Sequence, residues 1–308
     1  MSVSKIEWRN RFTAVDFVGR ATFAVALHPF EYAKILIQLG YEPFEAYQTT
    51  TIFLRKRMAL PGIFSYLKLI CHTDGWTGLY RGLTYKICYS LIHQFVFVNT
   101  SDVLEQLRNN ADTVDENDKT SSELQTVEKL FKNITEETIC KVVSISVSYP
   151  FQVLLIRSCA QFIGKETVYD SMPSAIRNIY TNEGFLGFYA GFGPLIIGEC
   201  LALWLSHSIV FIVERCIVRS GVSYDLQTYI STTTNYVVQS FMYPFHVVAT
   251  VMSLNSCQSL TNSIKDPQFV NWVQCWQHLS SLGQLKRGSS LLFRYPVSVN
   301  QKPAPKSL

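Results

Sequence analysis

Three ionisable residues stand inside apolar runs. Lys34 precedes Ile35-Leu36-Ile37, Arg157 follows Leu154-Leu155-Ile156, and Glu199 lies between Ile196-Ile197-Gly198 and Cys200-Leu201-Ala202-Leu203-Trp204. No Ser/His/Asp set, metal-ligand spacing or phosphate-cradling glycine loop accompanies them. These residues predict no enzyme, no metal site and no cofactor. What they offer is electrostatic: a charge at hydrocarbon depth is costly and is a functional candidate by default. Glu199 has no partner nearby in sequence, and Lys34 and Arg157 are its candidate counter-ions. Glu31 and Lys34 read as mutual partners or as liners of a polar interior. Asp16 and Arg20, one helical turn apart, read as a local pair. Lys86 and Lys141 fall near expected helix ends, where lysines snorkel to the interface. His28, His93 and His246 read as hydrogen bonders between packed helices.

A second polar feature is a stripe. Gln227, Ser231, Asn235 and Gln239 recur every four residues and share one helix face. Thr232, Thr233, Thr234 and Ser240 widen it. Unpaired in hydrocarbon, each such group costs a few kcal/mol; against a hydrated groove it costs little. Tyr243 joins Lys34, Arg157, Glu199 and the stripe as a groove-facing candidate.

The elements that carry these groups repeat. His28-Pro29-Phe30, Tyr149-Pro150-Phe151 and Tyr243-Pro244-Phe245 recur roughly every hundred residues, each in the middle of an apolar, helix-length segment. A proline there kinks the helix, and a membrane helix tolerates it because its neighbours satisfy the freed carbonyl. A second element follows each proline. Asp74-Gly75 precedes Tyr80-Arg81-Gly82, and Glu183-Gly184 precedes Tyr189-Ala190-Gly191; the third copy, Gly283 to Gly288, is two residues shorter and lacks the acid and the aromatic. Second helices are expected at 83–101 and 194–213. After Gly288 the chain is too short and too rich in proline and charge to span. The pattern predicts an all-α membrane bundle with five spanning helices out of six: repeat 1 at 1–110, an acidic linker at 111–137, repeat 2 at 138–222 and a truncated repeat 3 at 223–308.

The linker region reads as solvated and partly disordered, because residues 102–137 hold ten acids against four bases. Residues 61–72 and 269–282, the latter with Trp272 and Trp276, read as amphipathic surface helices. Arg55-Lys56-Arg57 would meet anionic headgroups or flank a membrane segment. The eight cysteines lack metal or redox spacing. No nucleic-acid module is present, and the N-terminus, with Glu7 and Asp16 among its bases, is not an acid-poor presequence.

Pro29, Glu31, Lys34 and Gln38, with Asp74-Gly75 and Tyr80-Arg81-Gly82, resemble the mitochondrial solute carrier superfamily. The stretches Lys34–Pro43, Leu60–Tyr66, Arg157–Gly164 and Leu201–Leu205 are similar to its divergent mitochondrial carrier homolog branch. The resemblance implies a carrier-like fold in the outer mitochondrial membrane, and a role in inserting helical, tail-anchored proteins, in lipid handling or in apoptotic regulation. Carriers also close one gate with proline-linked charge pairs from three repeats. Here only Glu31 and Lys34 remain, against Gln152 and Leu155 in repeat 2 and His246 and Ala249 in repeat 3, so a three-way charge ring cannot form. Loss of the sixth helix would open the polar interior sideways to lipid. The leading expectation is an insertase whose partners are tail-anchored clients and membrane lipids. The alternatives are a scaffold for apoptotic regulators, a phospholipid scramblase and a degenerate solute carrier.

Overall fold

The computed structural model describes residues 14–50, 56–112, 122–218, 224–260 and 267–296. Five long helices dominate: α1 (Ala14–Gln38), α3 (Leu83–Asp112), α4 (Ser122–Gly164), α6 (Phe192–Val218) and α7 (Tyr224–Asn255). Three short amphipathic helices, α2 (Ile63–Gly78), α5 (Met172–Glu183) and α8 (Trp272–Ser281), each follow a proline-bearing helix. Pro29, Pro150 and Pro244 lie inside α1, α4 and α7, as the repeat requires. Among the described residues, α4, α6 and α7 contain stretches long and apolar enough to cross a membrane. The other two long helices, α1 and α3, have 25 and 30 residues, enough for a ~30 Å core by length.

Each repeat is closed by the same device. The residue before the proline reaches the carbonyl before the second glycine of its own repeat. His28 Nε2 donates to Arg81 O at 2.8 Å, the Tyr149 hydroxyl to Ala190 O at 2.8 Å, and the Tyr243 hydroxyl to Arg287 O at 3.0 Å. The glycine pairs Gly75/Gly82, Gly184/Gly191 and Gly283/Gly288 all sit at positive φ, where an L side chain is strained. The shortened third copy therefore keeps the geometry of the other two.

The second glycines also join the repeats in a cycle. A Cβ on Gly82 would meet Leu155 of α4 at 3.0 Å, and one on Gly191 would meet Ala249 O of α7 at 2.3 Å. One on Gly288 would meet Gln38 of α1 at 3.2 Å, so repeat 3 returns to repeat 1. The tail strengthens this closure. Ile63 N–H donates to Leu291 O and Leu60 N–H to Arg294 O, both at 2.8 Å. The Arg294 guanidinium pairs with Glu42 and donates to the Tyr66 hydroxyl. Burial pushes the Tyr66 phenol above its usual range, so it stays protonated and donates to Glu42 at 2.7 Å.

Several expectations change. The acidic linker of 111–137 is largely helix: α3 runs to Asp112 and α4 begins at Ser122, leaving 113–121 outside the described residues. Its acids find partners on the helices, as where Glu136 meets Arg108 at 3.2 Å. Lys56 and Arg57 belong to a strand (β2, Lys56–Ala59) paired antiparallel with β1 (Tyr47–Thr50); Arg55 lies outside the described residues. The expectation for the tail does not change: residues 289–296 form no spanning helix and pack on α2, while 297–308 lie outside the described residues.

Candidate functional site

A cavity of about 430 Å³ opens between α1, α3, α4 and α7. Its wall collects equivalent positions from the three repeats. Two residues after each proline come Glu31, Gln152 and His246; five after come Lys34 and Leu155, and all five line the cavity. The third copy of the later position, Ala249, is buried. The repeat thus delivers one carboxylate, one amide, one imidazole and one ammonium where a symmetric charge ring would need three acids and three bases.

Glu31 is neutralised from α3, with Lys86 Nζ at 2.6 Å from its Oε1. Lys34 takes a different partner: its ammonium stands 5.3 Å from the centroid of the Tyr243 ring, a cation–π contact. Tyr243 is fixed from two sides, donating to Arg287 O and accepting from Gln38 Nε2 at 2.9 Å. Thr250 Oγ1 lies 3.4 Å from Gln38 Oε1. Gln239 and Ser240 complete the α7 wall and are exposed.

Glu199 approaches the cavity through His246. Its carboxylate holds Lys141 Nζ at 2.6 Å and His246 Nε2 at 3.3 Å. α6 comes close to α7 here because Gly198 leaves no room for a side chain: a Cβ would lie 2.6 Å from that of Phe245.

Of the residues expected in a groove, Lys34, Gln239 and Tyr243 line the cavity, and Glu199 borders it. Asn235 is exposed and Ser231 half-buried further along α7; the side chain of Gln227 is outside the described residues, as are those of Asp16 and Arg20. Arg157 is elsewhere. Its side chain is 0% exposed, forks onto both oxygens of Glu183 at 2.5 and 2.7 Å, and donates to Ser253 O at 3.0 Å. Neither Arg157 nor Lys34 is the counter-ion of Glu199. Lys141 fills that place, and Lys86 faces the interior, so neither lysine is free to snorkel. The signature acid Asp74 likewise pairs with Arg81 at 3.0 Å. His28 and His93 do bridge elements, through Arg81 O and Ser144 Oγ.

The arrangement is that of a carrier-like bundle whose proline-linked charges, among the described residues, have thinned to one cation without a carboxylate at ion-pair distance. Residues 16–111 and 128–217 match the family described as "Mitochondrial carrier protein". "Mitochondrial carrier homolog 2" of Homo sapiens is 34% identical over 272 residues, covering 86% of this chain and 88% of that protein. "Mitochondrial carrier homolog 1" of Mus musculus is 32% identical over 309 residues, covering 92% and 77%. More distantly, "Mitochondrial thiamine pyrophosphate carrier 1" of Pyricularia oryzae is 26% identical over 182 residues, covering 57% and 51%. The chain belongs to the mitochondrial carrier proteins, in the branch of the mitochondrial carrier homologs. With its long apolar helices, that makes it a mitochondrial membrane protein.

Proposed function

We propose that this protein is an insertase of the outer mitochondrial membrane for α-helical, tail-anchored proteins, working through a polar groove that opens to the bilayer between α7 and α1. The observation that carries the reading is the composition of the α7 face. Asn235, Gln239 and Ser240 are exposed beside the equally exposed Tyr236 and Phe241, next to a charged cavity. A polar strip bordered by apolar side chains suits a client whose hydrophobic helix enters lipid while its short polar end passes along the strip. The full cost of burying polar groups in hydrocarbon is then avoided. No nucleotide is needed.

The depleted charge ring supports the same reading against solute exchange. Alternating access needs a latch at each end, and Glu31 is already committed to Lys86. Lipid scrambling uses the same geometry, with a headgroup in place of the client's polar end, and scaffolding of apoptotic regulators would need no polar groove.

Purified protein reconstituted in liposomes tests the three readings when helix insertion and lipid flip are measured side by side. Lys34→Glu and Glu199→Arg should change the insertion rate of several clients while the protein stays folded. Unchanged insertion in both variants at equal protein levels would make these residues structural and favour the scaffold. Lipid flip without insertion would favour the scramblase.

A further inference from the structure

From the charge balance of the cavity, we infer that it receives the C-terminal carboxylate of a peptide chain, with the Lys34 ammonium as its anchor. The inference rests on the insertase reading and names the part of the client that the cavity handles.

Among the described residues, each carboxylate around the cavity has a cationic partner and one ammonium is left over. Glu31 is matched by Lys86, and Glu199 by Lys141 and His246. Lys34 has no carboxylate within ion-pair distance among the described residues: Glu31, three residues earlier, attracts it but is bonded to Lys86, and the ammonium stands over the Tyr243 ring. A lysine ammonium is a compact point charge with three donors. An uncompensated one at this depth attracts one anion and does so more strongly than at a water-exposed surface.

A second group asks for a donor. Gln152 Oε1 is buried without a hydrogen-bond partner among the described residues, and Gln152 shares the cavity wall with Lys34. The occupant that answers both is an anion carrying an N–H close by. The end of a peptide chain has this chemistry: a terminal carboxylate bonded to a carbon whose nitrogen is an amide donor. A phosphodiester supplies the anion, but its donor depends on the headgroup.

Size points the same way. A helix of ~10 Å diameter fills some 400 Å³ in one 5.4 Å turn. The cavity of about 430 Å³ therefore takes one turn or a short extended end, not a transmembrane segment. The client's helix would remain outside the cavity while its last residues entered.

The test compares two forms of one single-span client peptide, ending in a free carboxylate or in a carboxamide, inserting into liposomes that hold the wild-type protein. A bare bilayer favours the neutral carboxamide, because a charge crossing hydrocarbon is costly. The protein should reverse that order, with the carboxylate form inserting several-fold faster. Lys34→Gln should abolish the reversal and Lys34→Arg should keep it. Insertion of both forms at equal rates by the wild-type protein overturns carboxylate recognition and leaves the insertase reading standing. Should neither form insert above protein-free liposomes, the insertase reading fails. The receptor is then judged by anisotropy of short labelled peptides on the detergent-purified protein: tighter binding of acid than amide supports it, and equal binding overturns it. If phosphatidylserine in place of phosphatidylcholine removes the preference and Lys34→Gln alters lipid flip instead, the occupant is a headgroup and the inference is wrong. The comparison of peptides on the wild-type protein does not depend on any variant folding.

Discussion

The hydroxyl of Tyr243 donates to the carbonyl oxygen of Arg287, 44 residues further along the chain, at 3.0 Å. The bond joins the proline of the third repeat to its second glycine. It repeats the geometry of Tyr149 with Ala190 and of His28 with Arg81. Tyr243 also accepts from Gln38 and carries Lys34 on its ring, so one side chain ties repeat closure to the cavity.

Removing that hydroxyl should therefore be felt twice. Tyr243→Phe removes the hydroxyl that bonds both Arg287 O and Gln38 Nε2, a loss of about 1–3 kcal/mol for polar groups away from water. The thermal midpoint of the purified protein should fall by several degrees, while Lys34 keeps its ring.

Arg157 and Glu183 should behave as a buried pair. Arg157→Leu or Glu183→Leu alone strands a charge in the core and should cost ~3–5 kcal/mol. The double variant should be more stable than either single one. A double-mutant cycle on thermal or denaturant unfolding measures the coupling. Additive losses would mean that the two side chains act independently.

The glycine cycle makes a contrast between two alanines. Gly75→Ala meets nothing within 4 Å, so it carries only the backbone strain of a positive φ with an extended ψ (φ 74°, ψ −175°), on the order of 1–3 kcal/mol, and should give a folded protein. Gly191→Ala places its Cβ 2.3 Å from Ala249 O. It should yield little folded material, judged by size-exclusion profile and melting. Equal yields would mean that α6 and α7 need not approach so closely.

Cysteines at Asn235 and Gln239 should react with a hydrophilic maleimide in intact membranes faster than cysteines at Val237 or Phe241. All four positions are exposed on the protein, so if the proposed groove is open the membrane alone sets the difference, with water along the polar strip and lipid elsewhere. Equal protection would mean a closed, dry bundle.

The repeat was readable from sequence because proline and glycine act locally. A proline kink and a positive-φ glycine are properties of single residues, and their spacing survives even where Gly283 and Gly288 lack the flanking acid and aromatic. Charge pairing was not readable in the same way. Arg157 and Glu183 are 26 residues apart, joined only once α5 folds back beneath α4. Lys86 looked like an end-of-helix lysine because nothing in its neighbourhood names Glu31, 55 residues earlier. A signal was nevertheless present: if the residue before Pro29 bonds the carbonyl before Gly82, residues shortly after each are brought together. The β1–β2 pair is not legible in the sequence because two four-residue strands, Tyr-Gln-Thr-Thr and Lys-Arg-Met-Ala, are too short and too polar to show an apolar alternation.

The tie between Arg294 and Glu42 makes closure of the ring of repeats wait on a late-made residue. The two residues are separated by 252 positions. At the ~5–20 residues per second of synthesis, the second partner emerges some ten seconds to a minute after the first. During that interval the site on α2 and Glu42 that receives Arg294 stands vacant, and the ring of three repeats is an open arc. The protein thus closes its rim only after all three proline-bearing helices have been made, and a nascent chain halted before Arg294 would lack that fastening.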